Sequence, residues 1–177
     1  HKEYRRQRQM CIRDRNEITY GEFWTQVQYI GCALNYFGIE KTDKVAIHSE
    51  NRPEWLIADI GVQAIGGISV GLYPTNPPAE VQYLLSHSES KILFAEDQEQ
   101  VDKALEVLDD VPNLSKIIYF EEKGLFRYDS EKLMRWDEFL EIGKQEYENN
   151  KDFVNFRLDE IKSCLLYTSD AADDTPC

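Results

Sequence analysis

The chain has 177 residues, of which 42% are hydrophobic and 30% charged, and its formal net charge is −13. This composition fits a folded globular domain and excludes an intrinsically disordered chain. No apolar run is long enough to span a bilayer and no apolar stretch follows the basic N-terminal residues, as a secretory signal would require, so the sequence predicts a cytoplasmic protein.

The two ends of the chain are related at the level of DNA. The N-terminal RRQRQMCIRDR and the C-terminal CLLYTSDAAD can be encoded by reverse-complementary DNA. That DNA resembles the transposon-end adaptor used to prepare sequencing libraries, and such scars are excluded from fold reasoning. We therefore expect residues 1–15 and 164–177 to be adaptor-derived and residues 16–163 to be the natural domain. The alternative is a basic arm and an acidic tail that match by chance.

The first predicted element after residue 15 is a helix that begins after Thr19 and ends near Tyr36. Thr19 and Glu22 form a capping-box pattern, and Gly38 follows the last turn, as glycine commonly does at helix ends. Cys32 occupies an apolar position of this helix and is expected to be a small buried hydrophobe. Helical spacing places five apolar residues on one face: Phe23, Val27, Ile30, Leu34 and Phe37.

Beyond this helix, short apolar runs alternate with amphipathic segments. The runs predict four buried strands, at residues 45–48, 68–73, 91–95 and 117–120. Helices are predicted at 53–65, 79–88, 97–111 and 136–150, with a loop at 121–132 and a linker at 151–163. Short connections between alternating elements favour parallel pairing with right-handed crossovers. The predicted fold class is α/β, a partial doubly wound parallel sheet with flanking helices.

Candidate site residues are few. The sequence contains neither GxGxxG nor GxxxxGK[ST], the usual phosphate cradles. Glycine-rich residues 66–71 enter a strand rather than follow one, so they are expected to end a helix and allow close packing. His48 falls at the carboxyl edge where open α/β sheets bind ligands, and His87 lies near a helix end. No cysteine, third histidine or motif spacing accompanies them to suggest a metal site. A structural role is therefore expected for both histidines.

The remaining candidates also have simpler roles. Glu96 and Asp97 follow the third strand, where functional carboxylates can lie, but a helix N-cap explains such residues. The rings of Trp24, Trp55 and Trp136 are expected to be core or interface anchors. No catalytic, cofactor-binding or metal-binding residue is assigned anywhere in the chain.

Residues 38–97 read GIEKTDKVAIHSENRPEWLIADIGVQAIGGISVGLYPTNPPAEVQYLLSHSESKILFAED. This stretch resembles the adenylate-forming acyl-CoA synthetases. The upstream ITYGEF, residues 18–23, is similar to that family's opening element. QEQVDK at 98–103 and LMRWDE at 133–138 are similar to the long-chain fatty acid–CoA ligases in particular. The resemblance covers nearly all of residues 16–163 and implies the N-terminal part of the large adenylate-forming domain.

The resemblance implies a two-step reaction. A fatty acid carboxylate attacks the α-phosphate of ATP to give an acyl-adenylate and pyrophosphate, and the thiol of coenzyme A then displaces AMP. It implies ATP, Mg²⁺ and coenzyme A for the parent protein. The family's catalytic motifs lie downstream of the position of residue 163. This chain alone is therefore expected to be inactive, with no productive binding of ATP, Mg²⁺ or coenzyme A. Tyr167, Thr168 and Ser169 imitate the start of the family's phosphate loop but are expected to be adaptor translation, with no ATP contact.

Other interpretations stay open. The parent could be another adenylate-forming enzyme, such as a medium-chain acyl-CoA ligase, an acyl-AMP ligase or an amino-acid adenylation domain. A non-catalytic α/β module such as a phospho-receiver would carry an acidic cluster after the first strand, which residues 48–52 lack. A short interaction protein ending at Cys177 is the third interpretation. Acyl chain length and oligomeric state are not fixed by the sequence.

The charge of the expected domain bears on its partners. Residues 16–163 carry 14 basic and 28 acidic residues, a net charge of −14. An acidic surface of this kind repels nucleic acid, so no nucleic-acid partner is expected. Long-chain substrates leave peripheral membrane contact open, although the acidic residues give it no electrostatic support.

Overall fold

A computed structural model describes residues 18–161 of the chain. Their centre is a sheet of five parallel strands in the order β2-β1-β3-β4-β5. The strands are β1 (Lys44–His48), β2 (Ile68–Leu72), β3 (Ile92–Ala95), β4 (Lys116–Tyr119) and β5 (Leu133–Arg135). The order confirms the predicted doubly wound α/β class, because the chain runs outward from β1 to β2 and then crosses back to β3.

Within residues 18–161, six α-helices connect or flank these strands. They are α1 (Tyr20–Tyr36), α2 (Pro53–Ala64), α3 (Pro78–Ser88), α4 (Gln98–Glu106), α5 (Trp136–Asn149) and α6 (Phe153–Asp159), with a single 3₁₀ turn at Leu108–Asp110. No helix among residues 18–161 is long and apolar enough to cross a membrane.

The sheet is buried on both faces, which explains why its strands are nearly continuous apolar runs. On one face, Val45, Ile47 and Phe94 belong to a core shared with α1, α2, α5 and α6. On the other face, Ala46 and Leu93 pack with α3 and α4. Successive strand residues therefore point into different cores, as the two-residue period of a strand requires.

Helix α1 has the predicted start and the predicted buried face. The backbone N–H of Glu22 donates to Thr19 Oγ1 at 3.2 Å, and Thr19 N donates back to Glu22 Oε2 at 2.7 Å, which completes the capping box. Farther along α1, the backbone carbonyl of Tyr29 lies directly against Gly143 of α5. A side chain at residue 143 would collide with that carbonyl, so glycine permits the close crossing of α1 and α5.

The glycines before β2 have the expected structural role. Gly66 ends α2 with a φ of +83°, a left-handed conformation that glycine adopts without strain. Its N–H donates to Gln63 O, and its carbonyl accepts from Thr42 N at 2.8 Å. These bonds tie the end of α2 to the loop before β1.

Three sequence predictions require correction. The predicted linker 151–163 contains α6, whose buried residue is Val154; seven residues are too few for a clear helical period. The three residues of β5 were assigned to no element, because they are only half-buried. The fourth predicted helix is shorter than 97–111, since α4 ends at Glu106 and the 3₁₀ turn follows. The ends predicted to be adaptor-derived, including Tyr167–Ser169, lie outside the described residues.

Candidate functional site

The carboxyl edge of the sheet brings together the segments that follow four strands. The strand order reverses at β1, so β1 and β3 send their connecting helices to opposite faces, and open α/β sheets bind ligands in the crevice at such a point. The segment after β1 is Ser49–Arg52, and the segment after β3 is Glu96–Asp97. We call this edge, together with the turn after β2 and the residues after β4, the carboxyl-edge site.

Arg52 is the centre of the charged contacts at this edge. Its guanidinium lies 2.8 Å from Glu54, 3.4 Å from Glu96 and 2.9 Å from Glu121. It also lies over the ring of Phe120, 5.5 Å from the centroid. We call these four charged residues the Arg52 cluster. Because its carboxylates come from α2 and from the segments after β3 and β4, it joins three parts of the edge.

The pKa values within the Arg52 cluster reflect this pairing. The hydrogen bond to Glu54 raises the pKa of the Arg52 guanidinium against the opposing effect of burial, and Glu121 raises it further. Burial raises the pKa of the Glu54 carboxyl, but hydrogen bonds from Arg52 and from its own backbone outweigh burial and leave that pKa lowered. One guanidinium faces three carboxylates, so the cluster as a whole is negative and does not attract a phosphate group.

Glu96 also fixes the end of β1. Its Oε2 accepts the backbone N–H of Glu50 at 2.6 Å and the hydroxyl of Ser49 at 3.2 Å. Ser49 donates as well to the carbonyl of Glu50. No imidazole contacts this hydroxyl within the described residues, since the ring of His48 is bonded elsewhere. The arrangement therefore stabilises a loop and lacks the nucleophile–base pair that covalent catalysis needs.

A cleft of about 360 Å³ opens at the carboxyl ends of β1 and β2. One wall is formed by Ser49, Glu50, Asn51 and Trp55, and the other by residues 71–74. A second cavity of about 430 Å³ lies on the far side of that wall, between β2 and α3. Tyr73, which is 78% exposed, lines both cavities.

His48 is fully buried at the end of β1. Its Nε2 lies 3.1 Å from the carbonyl oxygen of Tyr73. Burial, reinforced by the positive charge of Lys103, lowers the pKa of the imidazole to about 4. Lys103 donates to the carbonyl of Pro74 at 2.8 Å and pairs with Glu99 at 2.8 Å. These contacts are those of a histidine that holds neighbouring backbone, and the structural role of His48 stays a prediction.

The other candidate residues named from the sequence make contacts within the domain. Asp97 accepts the backbone N–H groups of Glu99 and Gln100 and so caps α4. His87 is exposed and stacks on Tyr83 with centroids 5.5 Å apart. The three tryptophans, Trp24, Trp55 and Trp136, pack against the first core. Residues 18–161 contain no group of three or more metal-ligating side chains.

Sequence reasoning missed Arg52 and Lys103 as organisers of this edge. Arg52 is 44 residues from Glu96 and 69 from Glu121, and Lys103 is 29 residues from Pro74. Only the sheet topology brings such positions together. The family motif ENRPEW, residues 50–55, marked Arg52 as part of a recognisable segment but gave no sign of its partners.

Comparison with known proteins agrees with this fold. The model of the AMP-binding enzyme family matches residues 2–169. A long-chain-fatty-acid–CoA ligase of Xenopus laevis, ACSBG2, is 30% identical over 155 residues, which are 87% of this chain and 21% of the relative. The Homo sapiens ACSBG1 ligase is 26% identical over 153 residues, 86% of this chain and 21% of the relative. The chain thus spans about a fifth of the length of these curated relatives.

A solved structure gives the same answer for the fold. The anthranilate CoA ligase AuaEII, in complex with anthranoyl-AMP, superposes with a TM-score of 0.65 at 21% identity. The match covers 71% of this chain and 23% of that chain. With the parallel sheet, the motifs of residues 38–97 and a family match over nearly the whole length, the chain belongs to the AMP-binding, adenylate-forming enzyme family.

Proposed function

We propose that the protein containing this chain is a long-chain fatty acid–CoA ligase. The observation that carries the proposal is the agreement among curated relatives: ligases named for long-chain fatty acids match 86–87% of this chain at 26–31% identity. A bacterial protein named for the same activity, FadD15 of Mycobacterium bovis, is 30% identical over 108 residues. The elements at residues 98–103 and 133–138 support the same subfamily.

In the proposed reaction, a carboxylate oxygen of the fatty acid forms a bond to the α-phosphorus of ATP, and the bond to the pyrophosphate oxygen breaks. The sulfur of coenzyme A then attacks the acyl carbon, loses its proton, and AMP leaves. The parent would use ATP, Mg²⁺ and coenzyme A. The Arg52 cluster is negative and does not fit a triphosphate. Residues 18–161 contain no group of three or more metal-ligating side chains.

The described residues therefore contribute a scaffold to the proposed enzyme. The carboxyl-edge site holds the ends of the strands in fixed relation through the Arg52 cluster and Glu96. We propose that the 177-residue chain alone has no ligase activity, because the phosphate loop and the adenine and lid motifs belong to the other four-fifths of a ligase of the relatives' length.

The test is ATP–pyrophosphate exchange with the parent protein, expressed from its complete gene, and with the 177-residue chain. For the parent we expect exchange that is faster with hexadecanoate than with octanoate or 2-aminobenzoate. Faster exchange with octanoate would support the medium-chain alternative, and acyl-adenylate formation without thioester would support an acyl-AMP ligase. Exchange by the 177-residue chain above the protein-free rate would contradict its proposed inactivity. If the product of the complete gene catalyses no exchange, the result would favour a non-catalytic α/β module or an interaction protein instead.

The origin of the two ends is a separate proposal. We infer that residues 1–15 and 164–177 are translated adaptor, which makes Tyr167–Ser169 a chance likeness of the family's phosphate loop. The family match includes residues 2–15 and 164–169, so the protein comparison does not separate adaptor-encoded from native residues, and the genomic DNA is needed. Sequencing of the genomic locus tests this inference. We expect the genomic DNA before codon 16 and after codon 163 to differ from the adaptor sequence. Genomic DNA that encodes Arg15 and Cys164 in the same reading frame would overturn the inference.

We propose that the enzyme is cytoplasmic. We propose also that it has no nucleic-acid partner, because residues 16–163 carry a net charge of −14. Its peripheral contact with membranes is tested by sedimentation of the parent protein with neutral and anionic vesicles. Binding that increases with anionic lipid would contradict the charge argument.

A further inference from the structure

The turn after β2 is tied to the domain through two consecutive backbone carbonyls. His48 Nε2 contacts the Tyr73 carbonyl at 3.1 Å, and Lys103 Nζ donates to the Pro74 carbonyl at 2.8 Å. The turn closes on itself through Asn76 N, which donates to Tyr73 O at 2.9 Å. We call residues 73–76 the Tyr73 turn. Its two external donors come from β1 and α4, which are not its neighbours in sequence.

The contact with Tyr73 fixes the proton on the histidine ring. A carbonyl oxygen only accepts hydrogen bonds, so Nε2 must carry the hydrogen and the neutral ring leaves Nδ1 bare. The side chain is fully buried, and Nδ1 has no hydrogen-bond partner among residues 18–161. A proton added to Nδ1 would therefore create a buried cation with an unsatisfied N–H group, which is costly.

The position of the Tyr73 turn determines the shape of the carboxyl-edge site. Tyr73 is exposed and lines both the cleft of about 360 Å³ and the cavity of about 430 Å³. Pro74 lines the first of these spaces and Asn76 the second. Any movement of the turn changes both spaces at once.

We propose that His48 is a positioning residue whose neutral, Nε2-protonated ring latches the Tyr73 turn, and that a second proton on Nδ1 opens the latch. The charged groups that act on the ring are Lys103 and Glu99 of α4 and Glu96 after β3. Burial and Lys103 oppose the second proton, whereas the hydrogen bond to the Tyr73 carbonyl and then the two carboxylates favour it; the opposing effects are the larger, so the closed, buried ring resists the proton. The protonated ring is relieved when the turn opens and water reaches Nδ1.

The direction of the pH dependence follows from the pKa of His48. The folded-state pKa is about 4, below the ordinary value of 6.5. The unfolded or opened state therefore binds the proton more readily, so the latch is at full strength above pH 6.5 and weakens as pH falls from 6.5 toward 4. The Tyr73 turn should be closed at pH 7.

Amide hydrogen exchange at Asn76 reports the latch, because this N–H donates to the carbonyl that His48 holds. Protection factors, corrected for intrinsic exchange, would be measured on the 177-residue chain at pH 7 and pH 4.5. Loss of one hydrogen bond corresponds to about a tenfold loss of protection. We expect wild type to lose about this much between the two pH values, and His48→Ala to have lost it already at pH 7.

His48→Gln separates positioning from simple packing, because its carboxamide N–H can replace Nε2–H but does not titrate. We expect Asn76 in this variant to stay protected at both pH values. His87→Gln is the matched control, since that histidine is exposed and its ring stacks on Tyr83, and it should behave as wild type. ¹⁵N shifts of the His48 ring should show the proton on Nε2 at pH 7.

Lys103→Met provides a readout that packing alone would not move. This variant also loses the bond to the Pro74 carbonyl, which should lower Asn76 protection equally at every pH, so only the midpoint of the pH dependence is compared. Removal of the positive charge should raise the pH at which His48 titrates, and the midpoint for the loss of Asn76 protection should move to correspondingly higher pH. A ring proton on Nδ1 at pH 7, equal protection in His48→Ala and wild type, or acid opening that persists in His48→Gln would each overturn the proposal. If His48→Ala does not fold, the Gln and Lys103→Met variants and the ring shifts decide it.

Discussion

Replacement of Arg52 by methionine tests whether the Arg52 cluster holds the carboxyl edge together. Methionine keeps most of the side-chain volume but leaves Glu54, Glu96 and Glu121 without their shared cation. The guanidinium side chain is 20% exposed, as is that of Glu96. A fully buried pair that loses one partner costs about 3–5 kcal/mol and an exposed pair about 0–1 kcal/mol, so we expect a loss of about 2 kcal/mol.

The assay is urea unfolding of the 177-residue chain at pH 7, followed by tryptophan fluorescence. Lys144→Met is the control, because Lys144 pairs with Glu141 at 3.7 Å on an exposed face of α5 and should contribute less than about 0.5 kcal/mol. Arg52→Lys keeps the charge but loses the planar fork, and it should fall between the two. Equal stabilities for Arg52→Met and Lys144→Met would refute the reasoning.

The pH dependence gives the Arg52 cluster a second signature. The folded-state pKa of Glu54 is lowered from 4.5, so its contribution is present above pH 4.5 and is lost as pH falls through the lowered value. The His48 contribution is lost in a different window, between pH 6.5 and about 4. Arg52→Met should therefore flatten the stability profile only in its most acidic part.

Two further predictions concern the helices. Gly143→Ala should destabilise the chain by about 2 kcal/mol, because overpacking against the rigid Tyr29 carbonyl costs about 1–3 kcal/mol and exceeds the gain in helix propensity. Gly71→Ala, where nothing lies within 4 Å of an added Cβ, is the urea-unfolding control and should not destabilise the chain; a gain of up to about 1 kcal/mol is expected, because glycine inside a strand is less stable than alanine. A Gly143→Ala chain as stable as wild type would contradict the close crossing. Burial, with a smaller effect of Glu146, raises the pKa of Cys32 to about 11. Its peptide should resist iodoacetamide at pH 8 until urea is added, as measured by mass spectrometry; equal alkylation rates in both conditions would show that the thiol is accessible.

The sequence predicted the elements that have strong local signals. Helix α1 carries a capping box and a clear apolar face, and the first four strands are apolar runs bounded by turn residues. Helix α6 and strand β5 were missed because each is short and only partly buried, so neither produces a readable period. Their existence depends on packing against elements far away in the chain.

The candidate site was predictable in its place but not in its contacts. The doubly wound topology puts His48 and Glu96 at the carboxyl edge, and the sequence indicated that edge. The partners of Arg52 and Lys103 depend on where α2, α4 and the segments after β3 and β4 meet in space. Arg52 contacts residues that lie 44 and 69 positions away in the sequence, and contacts at such separations produce no periodic pattern in one sequence.

The strand order also has a consequence for how the chain folds as it is synthesised. Strand β1 meets β2 first and gains its second neighbour only when β3, ending at Ala95, has emerged. From then on each new strand adds to the same growing border, β4 on β3 and β5 on β4. Synthesis delivers the N-terminal part of a chain before the rest. The three-stranded unit β2-β1-β3 can thus serve as a folding nucleus, to which β4 and then β5 add as each is synthesised.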